Sequence, residues 1–268
     1  MTLNSKNDRL KKEILLEGLG KSLFATNIIL HKSLDSTNRL AKELASKGSP
    51  EGTVVLSEEQ TAGTGRMERR WLSQGYMNLL ASALIRPAMP SDQIFVLTMI
   101  LALATINGVN ELTSLKPMIK WPNDIYLGPK KLGGILTEFS VKGKDVKWVV
   151  LGLGLNVNWM PEKDTNLLYP ATSILAESGK KCPRNELLAL ILRSLEGLYK
   201  EVQAGRLDPL YRRWNQHSLI MGKDVEIHSA GEIIMGKVLR IDRNGGLVIK
   251  DSAGREQVIL SGDVSVRF

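Results

Sequence analysis

The chain has 268 residues, with 36 Lys and Arg against 28 Asp and Glu, a formal charge of +8 and one cysteine. That length is one large domain, or one domain with a small appendix, and 43% hydrophobic with 24% charged residues excludes disordered and fibrous classes. The lone Cys182 excludes a disulfide framework and a cysteine-based zinc site, and it suits a reducing compartment.

The N-terminal residues are polar and of mixed charge, without the apolar core of a signal peptide. They read as one short amphipathic helix ending near Gly18 and Gly20. A short strand is expected from Asn27 to His31. The segment LDSTNRLAKELASKG follows, where Asp35 or Ser36 caps a helix with Leu40, Ala41, Leu44 and Ala45 on its apolar face. After a strand at residues 53–56, the polar, Arg-rich run EEQTAGTGRMERRW has neither helical nor strand period and reads as a loop.

A strand at residues 78–85 is broken by Pro87 and Pro90, and Ser91 is expected to cap a long apolar helix reaching Leu112. Its most apolar stretch, residues 94–106, is too short to span a bilayer and reads as core. A soluble, cytoplasmic protein without membrane association is therefore expected. Four strands are expected at 118–121, 125–127, 132–139 and 146–156, the last two nearly all apolar, as in central strands covered on both faces. Pro183 opens an amphipathic helix closed by Gly205, and residues 208–217 form a further helical segment. From about Met221 short alternating strands with turns at 243–246 and 251–254 suit a small β-barrel. The division expected is a helical extension at 1–27, a main domain at 28–218 and the barrel at 219–268.

Charge is uneven along this plan. From Leu219 onward seven basic residues (Lys223, Lys237, Arg240, Arg243, Lys250, Arg255, Arg267) meet seven acids (Asp224, Glu226, Glu232, Asp242, Asp251, Glu256, Asp263), so the surplus lies in the first 218 residues. Such a surplus attracts nucleic acid, phosphates or an acidic protein without choosing among them.

Candidate chemistry is concentrated in four places. There is no phosphate-loop signature, and the pairs Gly63/Gly65 and Gly152/Gly154 lack the third glycine of a dinucleotide fold. His31, His217 and His228 have no ligand spacing and read as surface or packing residues. The loop at 60–71 gathers Arg66, Arg69 and Arg70 around two glycines; it is either a solvated basic loop or an anion cradle. Lys120-Trp121-Pro122-Asn123-Asp124 makes a rigid turn that also joins a lysine to a carboxylate. Lys131 opens the apolar run KLGGIL, where its ammonium either snorkels to solvent or sits at the edge of a site. Gly152 and Gly154 end a buried strand beside Asn156 and Asn158, serving close packing or clearing room for a ligand.

Together, DSTN at 35–38, QTAGTGRMERRW at 60–71, KWPND at 120–124, KLGGIL at 131–136 and GLGLNVN at 152–158 resemble biotin–protein ligase, that is, biotin–[acetyl-CoA-carboxylase] ligase. The resemblance runs from about Ile28 to Phe268. It implies an α+β fold, a mixed sheet flanked by helices in the manner of class II synthetases, with a small C-terminal SH3-like barrel. The activity it implies is ATP-dependent formation of biotinyl-5'-AMP and transfer of biotin to a lysine of a biotin carboxyl carrier protein, with ATP, biotin and Mg²⁺ bound.

By the same resemblance Ser36, Thr37, Asn38 and Gln60 contact biotin. Gly63, Thr64, Gly65 and Arg66 close over biotin and the adenylate, and Arg69 continues that arginine pattern. Trp71 packs near the adenine side, and Lys131 touches the biotin carboxylate and the reacting phosphate. Asp124 and Asn156 are polar positions of the nucleotide half, Asp124 being a candidate base or Mg²⁺ contact. Lys120 and Gly133 join the ligand-binding set within their motifs. No protein metal site is implied beyond Asp124.

The commonest loop form, GRGRxGR, has arginine where this chain has Thr64 and glycine where it has Glu68, so one cation is lost and one acid gained. Some 27 residues precede the first strand, fewer than the winged helix-turn-helix of many bacterial relatives, and the form expected is one that ligates without specific DNA binding. Members often pair, so a homodimer is compatible. The alternatives are a lipoate or octanoate ligase on the same fold and a basic nucleic-acid-binding protein; the neutral barrel argues against the latter.

Overall fold

The computed structural model describes residues 8–161, 170–229 and 231–266. Among these, seven strands form one mixed sheet: β1 (Asn27–His31), β2 (Thr53–Ser57), β3 (Leu79–Ile85), β4 (Met118–Lys120), β5 (Asp124–Leu127), β6 (Lys130–Lys142) and β7 (Asp145–Leu155), ordered β1-β2-β3-β7-β6-β5-β4. Only β1 and β2 run parallel, and a parallel pair needs a crossover, which α2 (Thr37–Ser46) supplies. Every other pairing in the sheet is antiparallel.

The two faces of this sheet are covered differently. On one face lie α3 (Phe95–Leu112) and α5 (Arg184–Gln203), which pack side by side with Gly108 of α3 against Ile191 of α5. Apolar on every side, α3 is enclosed on every side: residues 96–106 are all buried. Its helical segment, residues 91–112, is long and apolar enough to cross a membrane by length and composition, yet 78% of an apolar 18-residue window within it is buried inside the protein. On the other face Ala41 and Ala45 of α2 pack on Val55, Leu84 and Val150, one side chain in two along β2, β3 and β7.

The N-terminal helix is α1 (Lys12–Leu19), stopped by Gly20 at φ 57°. It packs on α5 through buried Leu15 and Leu19, with Gly18 against Ala189, so this segment belongs to the core. The expected helix over the first residues is shorter than read, and residues 1–7 lie outside the described chain. Ser91 does not cap α3. It opens a 3-10 turn, donates its N–H to Lys144 O, and leaves α3 to begin after Ile94 without a side-chain cap. A short helix, α4 (Ile174–Ser178), capped by Ser173, was not expected from periodicity, because one and a half turns carry too few residues to show one.

After α6 (Asp208–His217), five strands form an antiparallel sheet: β8 (Asp224–Ser229), β9 (Glu232–Ile241), β10 (Leu247–Lys250), β11 (Glu256–Ile259) and β12 (Asp263–Val266), ordered β11-β10-β9-β8-β12. The β9–β10 turn docks onto the main sheet's core. Trp121 Nε1 donates to Gly245 O at 2.9 Å, and Gly245, at φ 86°, lies so close to Phe95 that a Cβ would come within 2.0 Å of the ring. Tyr211 of α6 donates to Arg243 O at 2.6 Å.

Candidate active site

The site begins as a strip of sheet poor in side chains. Gly134 of β6 pairs with Gly154 of β7, and Leu136 with Gly152. Along β7 the strip continues the row of Val150, on the face that α2 covers. The missing side chains make room for two others. A Cβ on Gly152 would lie 2.1 Å from Asn38 Oδ1, and one on Gly154 would lie 2.6 Å from the Trp71 indole. Above this strip is a cavity of about 440 Å³, within the range of small-molecule sites.

One end of the cavity is built on the start of α2. Ser36 caps the helix, and Gln60 Oε1 accepts from Thr37 N at 2.8 Å and Thr37 Oγ1 at 3.0 Å. Thr61 N and Ala62 N donate to Leu34 O and Asp35 O, tying the root of the loop to the helix start. Ser36, Thr37 and Asn38 are all buried, and all three line the cavity.

The loop at 60–71 folds back on itself. Trp71 N donates to Gly63 O at 2.8 Å, Gly65 N to Arg69 O at 2.7 Å, and Thr64 bridges Arg70. At its tip Met67 (φ 54°) and Glu68 (φ 57°) are both left-handed, a conformation that costs a non-glycine residue about 1–2 kcal/mol. Glu68 therefore adopts a backbone that the commoner glycine would take with less strain. Met67 is 73% exposed, so little packing opposes movement of the tip.

The other end is cationic. Lys131 Nζ lies 2.7 Å from Asp124 Oδ1 and 5.8 Å from the centre of the Trp71 ring. Arg66 donates to Asn123 Oδ1 at 3.2 Å, and Lys120 sits 5.1 Å over the Tyr126 ring. Arg69 reaches across to Asp263 of β12 with both guanidinium nitrogens. Burial pulls the Arg66 and Lys120 pKa values down, and Asp124 opposes both shifts. The hydrogen bond from Arg69 holds the Asp263 carboxyl below its usual range. An arriving anion would replace this partial neutralisation.

Lys131 reaches the cavity because β6 carries a bulge. The β5–β6 register shifts between Ile125 and Tyr126, so Tyr126 pairs with Lys131 while Ile125 pairs with Gly133. The shift breaks alternation: Lys131 shares the face of Gly134, and Leu132 is fully buried in the core. The strand start is pinned by Lys131 N donating to Pro170 O at 2.8 Å.

Of the residues expected in the site, Ser36, Thr37, Asn38, Gln60, Thr64, Gly65, Arg66, Arg69, Trp71, Lys120, Asp124, Lys131 and Asn156 line this one cavity. Gly63 and Gly133 are not among its lining. A Cβ on Gly63 would meet Gln60 and Trp71 O at 2.9 Å, and one on Gly133 would meet Gly154 O at 2.8 Å, so both serve close backbone packing. Gly134 takes the cavity position instead. The lining also holds Asn123, Gly262, Asp263 and Val264, which the sequence reading did not assign. The last three come from the second sheet, whose approach no local pattern reveals.

Residues 30–156 match the model of the biotin/lipoate A/B protein ligase family, and residues 220–267 match the biotin protein ligase C terminal domain. The bifunctional ligase/repressor BirA of Bacillus subtilis is 33% identical over 98% of this chain and 81% of its own length. The chain belongs to the biotin protein ligase family. Another member, the biotin–[acetyl-CoA-carboxylase] ligase of Mycobacterium tuberculosis, is 30% identical over 93% of this chain and 91% of its own. Among solved structures, the biotin protein ligase of Aquifex aeolicus in complex with biotin and ATP superposes with a TM-score of 0.75 and 29% identity, covering 90% of this chain and 99% of that one. The mixed sheet with flanking helices is thus the fold of the family.

Proposed function

We propose that this chain activates biotin with ATP and passes it to a lysine of a biotin carboxyl carrier protein. The observation that carries the reading is the meeting of Arg66, Lys120 and Lys131 at one end of a cavity whose other end is a buried, uncharged polar pocket. A carboxylate and a nucleotide phosphate repel unless cations stand between them, and partly buried cations are worth more there than in water. In the first step a biotin carboxylate oxygen bonds to the α-phosphorus and the bond to the bridging oxygen breaks, releasing pyrophosphate. In the second, a neutral lysine amine attacks the acyl carbon; AMP leaves and the amine loses a proton.

Among the described residues no cluster of three or more His, Cys, Asp or Glu is arranged for a metal, and the cavity's carboxylates are Asp124 and Asp263. That donor set fits Mg²⁺ carried mainly by nucleotide phosphates with Asp124 as the protein ligand, where the ion adds positive charge at the phosphates when bound. The mixed anhydride is destroyed by water, and the loop at 60–71, hinged at its α2 anchor, is placed to cover it.

The deciding experiment incubates the protein with ATP and labelled biotin or lipoate, measures the mass of the adenylate, and then adds a purified carrier domain. Biotinyl-adenylate followed by a biotinylated carrier is expected. A lipoyl adenylate formed in preference would move the substrate to the other branch of the family model, and no adenylate with either acid would overturn the reading.

A further inference from the structure

Hydrogen-bond accounting at Asn38 assigns a role to Glu138, which lies outside the cavity lining. Asn38 Nδ2 donates to Leu136 O at 3.1 Å and to Glu138 Oε2 at 2.9 Å. A backbone carbonyl and an ionised carboxylate only accept, so one orientation of the carboxamide satisfies both. Its Oδ1 is thereby turned the other way, 2.6 Å from Ser82 Oγ, whose one hydrogen it shares with Thr37 Oγ1 at 2.8 Å, and where the missing Cβ of Gly152 leaves it space. An amide oxygen has two acceptor sites, and Ser82 reaches only one of them. The other Glu138 oxygen is held by Lys42 Nζ, one helical turn after Asn38, at 2.5 Å.

We infer that Glu138, anchored by Lys42, is a positioning residue that fixes the Asn38 carboxamide with its oxygen presented to the ligand. This rests on the biotin reading and deepens it. The ureido ring of biotin carries N–H donors, whereas the dithiolane of lipoate carries none. An acceptor locked at the buried end therefore favours the first ring, and an amide free to turn would not.

The test is biotin binding by calorimetry without ATP, with thermal melts to show that each variant is folded. Glu138→Ala is expected to raise the biotin Kd about 10-fold or more, because a buried amide is left unsatisfied and free to rotate. Its KM for ATP should stay within about 3-fold, since the change lies at the far end of the cavity. Glu138→Gln keeps an acceptor oxygen for Asn38 and loses only the half-exposed Lys42 pair, so the Kd should return to within about 3-fold of wild type.

Asn38→Asp sets two carboxylates face to face. Adding Glu138→Gln supplies an N–H to the introduced carboxylate, and the double variant should bind biotin about 5-fold tighter than Asn38→Asp alone. Packing alone also predicts the first rescue, since Gln has the shape of Glu, but it does not predict the second. Wild-type affinity in Glu138→Ala, or equal losses in the Ala and Gln variants, would overturn the positioning role and leave the biotin reading standing. Failure of the wild-type protein to bind biotin would overturn both.

Discussion

Lys131 Nζ is paired with Asp124 Oδ1 at 2.7 Å, and both side chains are about three-quarters buried, at 26% and 23% exposure. A lysine that merely covered the strand end would extend to water. This one instead leans into the cavity beside Trp71. Lys131→Met keeps most of the apolar stem, one atom shorter, and removes the charge, and it also leaves Asp124 facing the substrate phosphates. Adenylate formation, read as biotin-dependent pyrophosphate release, should fall 100-fold or more, since a donor to developing charge contributes about 2.7–4 kcal/mol. A rate within a few-fold of wild type would show that the amine only shields the indole.

Arg66 sits near the tip of the loop, and its hydrogen bond to Asn123 joins that tip to the turn after β4. Arg66→Gly removes both the cation and this tie. The adenylate should then escape faster, and added bystander proteins should be biotinylated on lysines without selection. Unchanged off-rates for biotinyl-adenylate would sink the idea that the loop retains the intermediate.

The glycines of the strip yield a contrast within one protein. Gly154→Ala places a methyl 2.6 Å from the Trp71 indole and must displace it, an overpacking expected to cost about 1–3 kcal/mol. Lys131 loses its aromatic neighbour in the same change, so adenylate formation should fall together with the melting temperature. Gly197 lies in the middle of α5 with nothing within 4 Å of its would-be Cβ. There Gly197→Ala should stabilise by about 0.5–1 kcal/mol and leave activity alone. Equal melting temperatures for the two variants would mean that Trp71 moves aside freely.

Much of this arrangement was legible in the sequence because its signals are local. Ser36 before an apolar helical period, Pro183 before another, and the near-continuous apolar runs of β6 and β7 each place an element without reference to the rest of the chain. The face of Lys131 was not legible, because strict alternation would have set it with Gly133, and a one-residue bulge reverses that. From sequence, Gly152 and Gly154 serve either packing or ligand space. Their purpose is neither alone, since they admit Asn38 and Trp71, which then line the ligand's space. Asp263 was out of reach for another reason: its meeting with Arg69 spans 194 residues, and nothing near either residue encodes the other.

The same long-range blindness hid a buried ionic cluster at the root of the loop. Arg184, fully buried, donates to Glu58 Oε2 at 2.7 Å, to Asn78 O at 2.9 Å and to Asp8 Oδ2 at 3.1 Å. Glu58 ends just after β2 and Asn78 stands just before β3, so one guanidinium joins both strands between which the active-site loop is strung. Glu58 also accepts from Leu10 N at 2.7 Å, and Asp8 from Asn158 Nδ2 at 2.6 Å, which fastens the N-terminal segment to the same point. Replacing one member leaves the others as uncompensated buried charge. Arg184→Met should destabilise by about 3–5 kcal/mol in urea titrations, far more than breaking an exposed pair such as Arg243–Asp208. The nearby Cys182 reports on the opening of this cluster. Its thiol is buried and pushed up to about 12, with Asp8 adding to the effect, and its backbone N–H is bound to Asn158 Oδ1. At pH 8 almost no thiolate is present in the closed form, so labelling by a thiol reagent must wait for local opening. Asp8→Ala should speed that labelling while the rest of the fold holds. Labelling unchanged from wild type would mean that the N-terminal segment is fastened by α1 alone.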